Sequence, residues 1–546
     1  MNLDTLIELA GGITNVTRIL APQGWVTVAV DNRQLVKQPL PTTVVLEEVL
    51  GEWQLSTTNQ MDPAVISEQE LVVVGRSIAE RQLKRAQACS LAIASHYRPQ
   101  WHISPPQGLL NDPNGFVYHQ GEYYLFYQWH PFACQHKDKY WVLLKSQDLI
   151  NWRWHSIALT PSDWFDSHGV FSGHAVSDGD DLWLFYTGNT RLGQDRQRQT
   201  MQCIAKADSE GGFTKLGPVI RTLPDGVTEH IRDPKVVYKQ GRWQMLLGAQ
   251  TQQLSGCLAV YHSDNLHDWQ FDGLYGQELA PYGYMWECPD MFELDGQSLV
   301  VFGPQGIRSS NPHHTIEHHN RIFTVADNQQ GQLQFLQGWE LDSGFDFYAP
   351  QTALTPDGRR ILCGWMGLPD EIDHPSCADG WIHQLTALRE LRWINGCVIQ
   401  SPIRELTQLR GEKRSLHLTE QGIDIGGKSY ELQVILPWGS ELHLMKNRHQ
   451  QVVLSLDEQS HTLRLDRSHT EIRQGDTIRE ISLTTQRVDL HILVDHSSIE
   501  IFINQGEQVM SSRVFTAPDA TQIALFGAEV EADYFPLQAT ISPFAH

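Results

Sequence analysis

Five copies of one short motif constrain this chain more than any other feature. Each is a turn rich in Gly or Asp followed by an apolar strand. The copies are Gly121-Glu-Tyr-Tyr-Leu-Phe-Tyr127, Asp180-Asp-Leu-Trp-Leu-Phe-Tyr186, Gly241-Arg-Trp-Gln-Met-Leu-Leu247, Gly296-Gln-Ser-Leu-Val-Val-Phe302 and Gly358-Arg-Arg-Ile-Leu-Cys-Gly364, with starts 55 to 62 residues apart. A period above 40 residues with a hairpin signal in each unit is the signature of propeller blades, so five blades are expected.

Upstream of three copies the strand that would line the central channel begins with an acid. Asp112 opens Asp-Pro-Asn-Gly-Phe-Val-Tyr118, Asp233 opens Asp-Pro-Lys-Val-Val-Tyr238, and Glu287 opens Glu-Cys-Pro-Asp-Met-Phe292. They precede their glycines by nine, eight and nine residues. Equivalent positions in successive blades converge on one axis, so three carboxylates far apart in sequence are expected at one mouth. Any single Asn-Asp-Pro-Asn-Gly is an ordinary turn sequence. Three acids in register point to chemistry.

Composition narrows the partners. At 546 residues the chain exceeds one ordinary core, so at least two domains are expected. The net charge of -23 argues against nucleic acid and against an anionic membrane surface, both of which are bound through excess Lys and Arg. No run of 18 apolar residues spans a membrane, and the amino terminus does not read as a secretory signal. Eight scattered cysteines, with no Cys-x-x-Cys pair, give no zinc or redox signature and suggest a reduced, cytoplasmic protein.

The expected organisation is all-β: a short α-containing extension over 1–96, a five-bladed β-propeller over 97–393, a linker over 394–405 and a β-sandwich over 406–546. Within the extension, 71–95 reads as a docking helix with Ala79, Leu83, Ala86 and Ile93 on one face. Leu9-Ala-Gly-Gly-Ile-Thr-Asn15-Val and Val72-Val-Val-Gly75 faintly resemble the small cysteine-phosphorylated domain of sugar phosphotransferase permeases. No cysteine precedes Cys89, so phosphotransfer is not expected and coincidence is the preferred reading. The sandwich is read from short alternating runs such as Val488–Val494 and Ile499–Ile503. It is expected to stabilise the propeller, with a homodimer left open. A second repeat, Ser146-Gln-Asp-Leu149-Ile-Asn-Trp152 and Ser263-Asp-Asn-Leu266-His-Asp-Trp269, is expected to end an outer strand with a buried Trp.

Two carboxyl groups across a small gap are the minimum for retaining glycoside hydrolysis, one attacking the anomeric carbon and the other protonating the leaving oxygen. Glu287, with longer reach and the neighbours Trp286 and Cys288, suits the acid. Asp112, beside Asn111, suits the nucleophile. Asp233 follows Arg232, whose guanidinium favours a fixed carboxylate able to hold sugar hydroxyls. Gln128, Trp141, Phe171 and Ser172 lie near blade entrances, where aromatic rings and polar groups would grip a sugar. Asp346-Phe-Tyr348-Ala-Pro350 enters the fifth blade and is expected to complete the pocket wall.

The ordered motifs Trp101-His-Ile-Ser-Pro-Pro-Gln-Gly-Leu-Leu-Asn-Asp112-Pro-Asn-Gly, Phe126-Tyr-Gln128-Trp-His-Pro131, Phe171-Ser172-Gly, Ile231-Arg232-Asp233-Pro and Trp286-Glu287-Cys-Pro resemble glycoside hydrolase family 32 over about residues 97 to 546. The resemblance implies a propeller followed by a sandwich, and retaining cleavage of the β-fructofuranoside bond of sucrose 6-phosphate or sucrose through a covalent fructosyl intermediate. It implies Asp112 as nucleophile, Glu287 as acid and base, and Asp233 as transition-state stabiliser. Leu109, Leu110, Asn111, Gln128, Phe171, Ser172 and Arg232 fall at its substrate-binding positions, with Trp141 an addition. It implies a small sugar as the partner and no metal or organic cofactor. Two departures, Trp141-Val-Leu-Leu-Lys145 and Phe171-Ser-Gly-His174-Ala, leave the leaving-group side open. Lys145 and His174 are read as surface groups in preference to phosphate ligands.

Overall fold

Each copy of the fivefold motif becomes the second strand of an antiparallel sheet, and the strand before it becomes the innermost. In the computed structural model the described residues are 1–61, 66–280, 282–307, 319–328 and 332–540. The last six residues expected in the sandwich, 541–546, lie outside them. The inner strands are Gly108–His119, Val170–Asp178, Val227–Lys239, Met285–Leu294 and Tyr348–Leu354, and each pairs with the repeat strand that follows it. Each packs against the next around the ring, and the fifth against the first. These five sheets are termed blades I to V. The repeat strands are buried on both sides between neighbouring blades, which is why they read as near-continuous apolar runs rather than alternating ones.

The ring is fastened by a short parallel pairing that sequence periodicity does not show. Trp381 and Ile382, arriving from blade V, pair with Gly108 and Leu109 of blade I. The Ser-Asx-Leu-Trp repeat forms a turn between third and fourth strands, instead of ending an outer strand. Leu149 and Leu266 take positive φ there, and Trp152 and Trp269 donate their indole N–H to the Leu149 and Leu266 carbonyls at 3.0 and 2.9 Å.

The amino-terminal region is more than a helix. It contains an antiparallel sheet in the order Val16–Leu20, Thr27–Val30, Glu52–Thr57, Val44–Val49. The docking helix runs Glu68–Gln87, shorter at its end than the expected 71–95 and begun earlier by a capping box between Ser67 and Glu70. Its buried face is Leu71, Val74, Gly75, Ile78 and Ala86, a rotation away from the expected one. Gly75 is required by contact: a Cβ there would lie 2.3 Å from Asp163 Oδ1. Leu6, Val28, Leu55 and Ile78 share one core with Phe126, Phe165 and Leu184, so this region is welded to blades I and II.

After the propeller, two six-stranded sheets form the sandwich around their own apolar core. The junction joins an apolar core shared by Leu493, Phe502 and Val509 with blade V to a fully buried polar network. Arg389 of blade V pairs with Asp342 at 3.0 Å and with Glu500 of the sandwich at 2.8 Å. The His102 ring sits between Asp495 and Glu500 at 2.9 Å each. Among the described residues, no helix is long and apolar enough to cross a membrane.

Candidate active site

On an unbroken strand, adjacent side chains point to opposite faces, so two neighbours cannot both face the channel. All five inner strands break that rule at the same level. The register against the repeat strand slips between Leu110 and Pro113, between Val170 and Gly173, between Arg232 and Lys235, between Glu287 and Asp290, and between Tyr348 and Gln351. Such β-bulges re-aim side chains and tolerate otherwise disfavoured backbone. In blades III to V the bulged residue takes positive φ: Asp233 (+66°), Cys288 (+48°) and Ala349 (+49°). As a result the adjacent pairs Asn111/Asp112, Phe171/Ser172, Arg232/Asp233 and Glu287/Cys288 all line one cavity of about 460 Å³.

The three acids meet on its floor. Asp112 Oδ2 accepts a hydrogen bond from the Ser172 hydroxyl and lies 3.6 Å from Cys288 Sγ. Asp233 Oδ2 lies 3.5 Å from the same sulfur and accepts the Cys288 backbone N–H at 2.9 Å. The Asp233 N–H donates to Thr187 Oγ1 at 3.0 Å, which holds the bulge. Arg232 donates to Glu287 Oε1 from Nε at 3.0 Å and from its terminal nitrogen at 2.5 Å, and approaches Asp233 at 4.0 Å. Glu287 Oε2 accepts from the Tyr348 hydroxyl at 2.8 Å and from the Gln305 amide.

Burial raises the Asp112 carboxyl above the usual range; the Ser172 and Asn111 hydrogen bonds oppose this and the Glu287 charge adds to it. Burial also raises Asp233, against the pull of Arg232. Lys139 lines the cavity beside them, with Nζ 3.0 Å from His136 Nδ1, and burial brings its ammonium down to about 7.

Not every expected residue reaches the cavity. Asn111, Gln128, Phe171, Ser172 and Arg232 line it with the three acids. Asn111 donates to Gln128 Oε1, and among the described residues its own Oδ1 has no protein partner, which leaves it open to a hydroxyl. Leu109, Leu110 and Trp141 are fully buried away from it. Leu109 and Leu110 precede the bulge and pair with His130 and Trp129, and Leu110 packs in the core of blades I and V. Trp141 sits in the third strand and acts from behind, its indole N–H donating to the Phe171 carbonyl at 3.2 Å. Lys145 is peripheral, paired with Glu122 at 3.7 Å. His174 is not at the surface: it is buried against Lys235 at 2.9 Å, and burial followed by that charge drives its imidazole well below the normal range.

Other residues reach the cavity without a local sequence signal. Cys288 touches two acids but reads as a core cysteine. Arg18, Val49, Leu50 and Glu52 come from the amino-terminal sheet. Asp346, Glu371 and His374 gather where a metal could be held, but Arg467 lies 2.7 Å from Asp346 and 3.9 Å from Glu371, so a guanidinium already supplies the countercharge.

A carboxylate held by a hydroxyl, a second with donors on both oxygens and a third fixed beside a guanidinium are the parts that a retaining glycosidase needs. Comparison with known proteins agrees. Residues 102–402 match the glycosyl hydrolases family 32 N-terminal domain and residues 405–541 the glycosyl hydrolases family 32 C-terminal domain. A Vibrio cholerae protein named "Probable sucrose-6-phosphate hydrolase" is 65% identical over 544 residues, covering 100% of this chain and 98% of that protein. The Bacillus subtilis sucrose-6-phosphate hydrolase is 40% identical over 450 residues, covering 78% of this chain and 91% of that protein. The solved structure of sucrose-6-phosphate hydrolase from Lactobacillus gasseri superposes with a TM-score of 0.77 at 32% identity, covering 85% of this chain and 97% of that one.

Proposed function

The chain belongs to glycosyl hydrolase family 32, and from that premise we propose that Asp112, Glu287 and Asp233 carry out the retaining hydrolysis of a β-fructofuranoside. The enzyme is a glycosidase acting on sucrose 6-phosphate or sucrose. The observation that carries the role assignment is the convergence of Asp112 and Asp233 on the one Cys288 sulfur beside Glu287.

Asp112 attacks the anomeric carbon of the fructosyl unit while Glu287 protonates the bridging oxygen, which leaves with the glucose moiety. The ester formed on Asp112 is then cleaved by water whose proton passes to Glu287, releasing fructose and restoring both groups. Ser172 holds the attacking carboxylate in one orientation. Asp233, fixed by the Cys288 N–H, binds hydroxyls of the fructosyl ring and offsets the positive charge that develops on it. Arg232 and Tyr348 hold Glu287 between them, so that it keeps one position through both steps.

Asp112→Asn is expected to lower kcat by about 10⁴-fold or more. Glu287→Gln should lose about 10²- to 10⁴-fold while still binding sugar. Purified Asp112→Asn protein that turns over sucrose at the parent rate overturns the assignment. A reducing, cytoplasmic setting is the reading that eight unpaired cysteines support, and fractionation of cells with an antibody to the chain checks it.

A further inference from the structure

Catalysis uses the cavity floor, while the mouth is built from three other segments. Two are propeller loops: residues 131–139 of blade I, and residues 193–196 between the second and third strands of blade II. The third is the amino-terminal hairpin of Val44–Val49 and Glu52–Thr57, whose tip places Val49, Leu50 and Glu52 against the cavity. Arg18 clamps it down, donating to Glu52 at 3.2 Å, to Asp138 at 2.9 Å and to the Ser167 carbonyl. Gln194 in the blade II turn donates to Glu47 of the hairpin at 2.7 Å. The hairpin is therefore fastened to both loops.

Charge at this mouth is unbalanced. Arg18 occupies Asp138 and Glu52, and Arg232 occupies Glu287. Arg191 and Arg196 also line the cavity, and among the described residues neither has a carboxylate partner. The Arg196 guanidinium lies 3.2 Å from His168 Nε2, and the Arg191 N–H donates to His168 Nδ1 at 3.2 Å. Burial first, then the surrounding guanidiniums, hold the His168 ring down at about 2, so it contributes a rigid neutral strut and no countercharge. Arg191 itself is lowered by burial and by repulsion from Arg196 and Arg232. Half-buried like charges without an anion are unfavourable, and this pair persists in a chain of net charge -23 that has acids to spare. Guanidinium forks match a phosphate dianion in shape and charge.

We propose that Arg191 and Arg196 form the subsite for the phosphate ester on the leaving glucose unit, with the amino-terminal hairpin walling its outer side. The proposal rests on the cavity being the β-fructofuranosidase site. His168 ties the Arg196 guanidinium to the Arg191 backbone N–H, and Lys137 adds positive charge at the exposed rim. Binding energy from the phosphate, remote from the cleaved bond, then favours the phosphorylated disaccharide over sucrose.

The test is kcat/KM for sucrose 6-phosphate and for sucrose in the parent, Arg191→Ala, Arg196→Ala and the double variant. The expected result is a parent ratio well above one that falls about 10- to 100-fold in each single variant and further in the double. Should Arg191→Ala fail to fold, Arg196→Gln, in the turn, gives the same readout. Inhibition by glucose 6-phosphate measures the subsite directly: it should exceed that by glucose in the parent, and the difference should vanish in the double variant. A double variant that keeps the parent ratio overturns the subsite while leaving the hydrolase intact; loss of the hydrolase assignment itself would show in Asp112→Asn.

Discussion

Ser172→Ala isolates what a single hydroxyl does for the attacking carboxylate. In the parent the Ser172 hydroxyl donates to Asp112 Oδ2, a bond that favours the ionised form and opposes the upward push of burial. Removing it takes away a hydrogen bond to a charged group, worth about 1.5 to 3 kcal/mol. At 1.36 kcal/mol per unit this is about 1 to 2 pH units. The Asn111 hydrogen bond and the Cys288 thiol at 3.6 Å remain, so the lower figure, about 1 unit, is expected. The sign follows from the role. Asp112 must be ionised to attack, so the acid limb of kcat/KM moves to higher pH and the loss of rate grows as pH falls. The assay is kcat/KM for sucrose across about pH 4 to 8, with a thermal melt alongside. Alanine leaves the Asp112 carboxylate short of one donor in the folded state only, so the melting temperature should fall by about a few degrees at neutral pH and by less as pH falls. An acid limb that stays in place, or moves down, refutes the coupling between Ser172 and Asp112.

Other predictions concern the frame around the site. Burial alone would lower His102, but Asp495 and Glu500 more than reverse this and its imidazolium is favoured in the folded protein. That contribution is complete below the unfolded value near 6.5 and is lost as pH rises through the raised folded value, so stability should decline over that range. His102→Gln should cost about 3 kcal/mol at pH 6 and flatten that decline, as read by urea melts at several pH values; an unchanged pH dependence contradicts the pairing. Gly506 has φ +92°, and a Cβ there would lie 1.7 Å from the Gln400 carbonyl oxygen, where the sandwich abuts blade V. Gly506→Ala is expected to lower the melting temperature by several degrees, with loss of kcat only as the fold is lost.

The amino-terminal region gives the family scaffold an added wall. The Bacillus subtilis relative aligns with 78% of this chain, whereas the Vibrio cholerae relative aligns with all of it. Here the added sheet is not a tethered appendage, because Leu6, Val28 and Leu55 share a core with blades I and II and Arg18 reaches the cavity. The presence of its helix was legible, but its apolar spacing pointed to the wrong face, and its strands were not legible. Runs such as Val44–Val49 carry charge on both exposed and half-buried positions, which weakens the alternation that marks a strand.

What the sequence determined by itself was the part governed by local rules repeated many times: turn residues and apolar strands at a steady period, which set five blades, and the acids Asp112, Asp233 and Glu287 at matching offsets within them. Tertiary structure decided which side chains face inward. Strand parity would send Arg232 and Asp233, or Glu287 and Cys288, to opposite faces. The bulges turn both members of each pair into one cavity, and nothing in a local residue pattern announces a register slip. The same reason explains Leu109, Leu110 and Trp141, which stand beside site residues in sequence yet pack behind them. Arg18 and Leu50 reach the mouth because the sheet that carries them shares a core with distant strands through Val28 and Leu55.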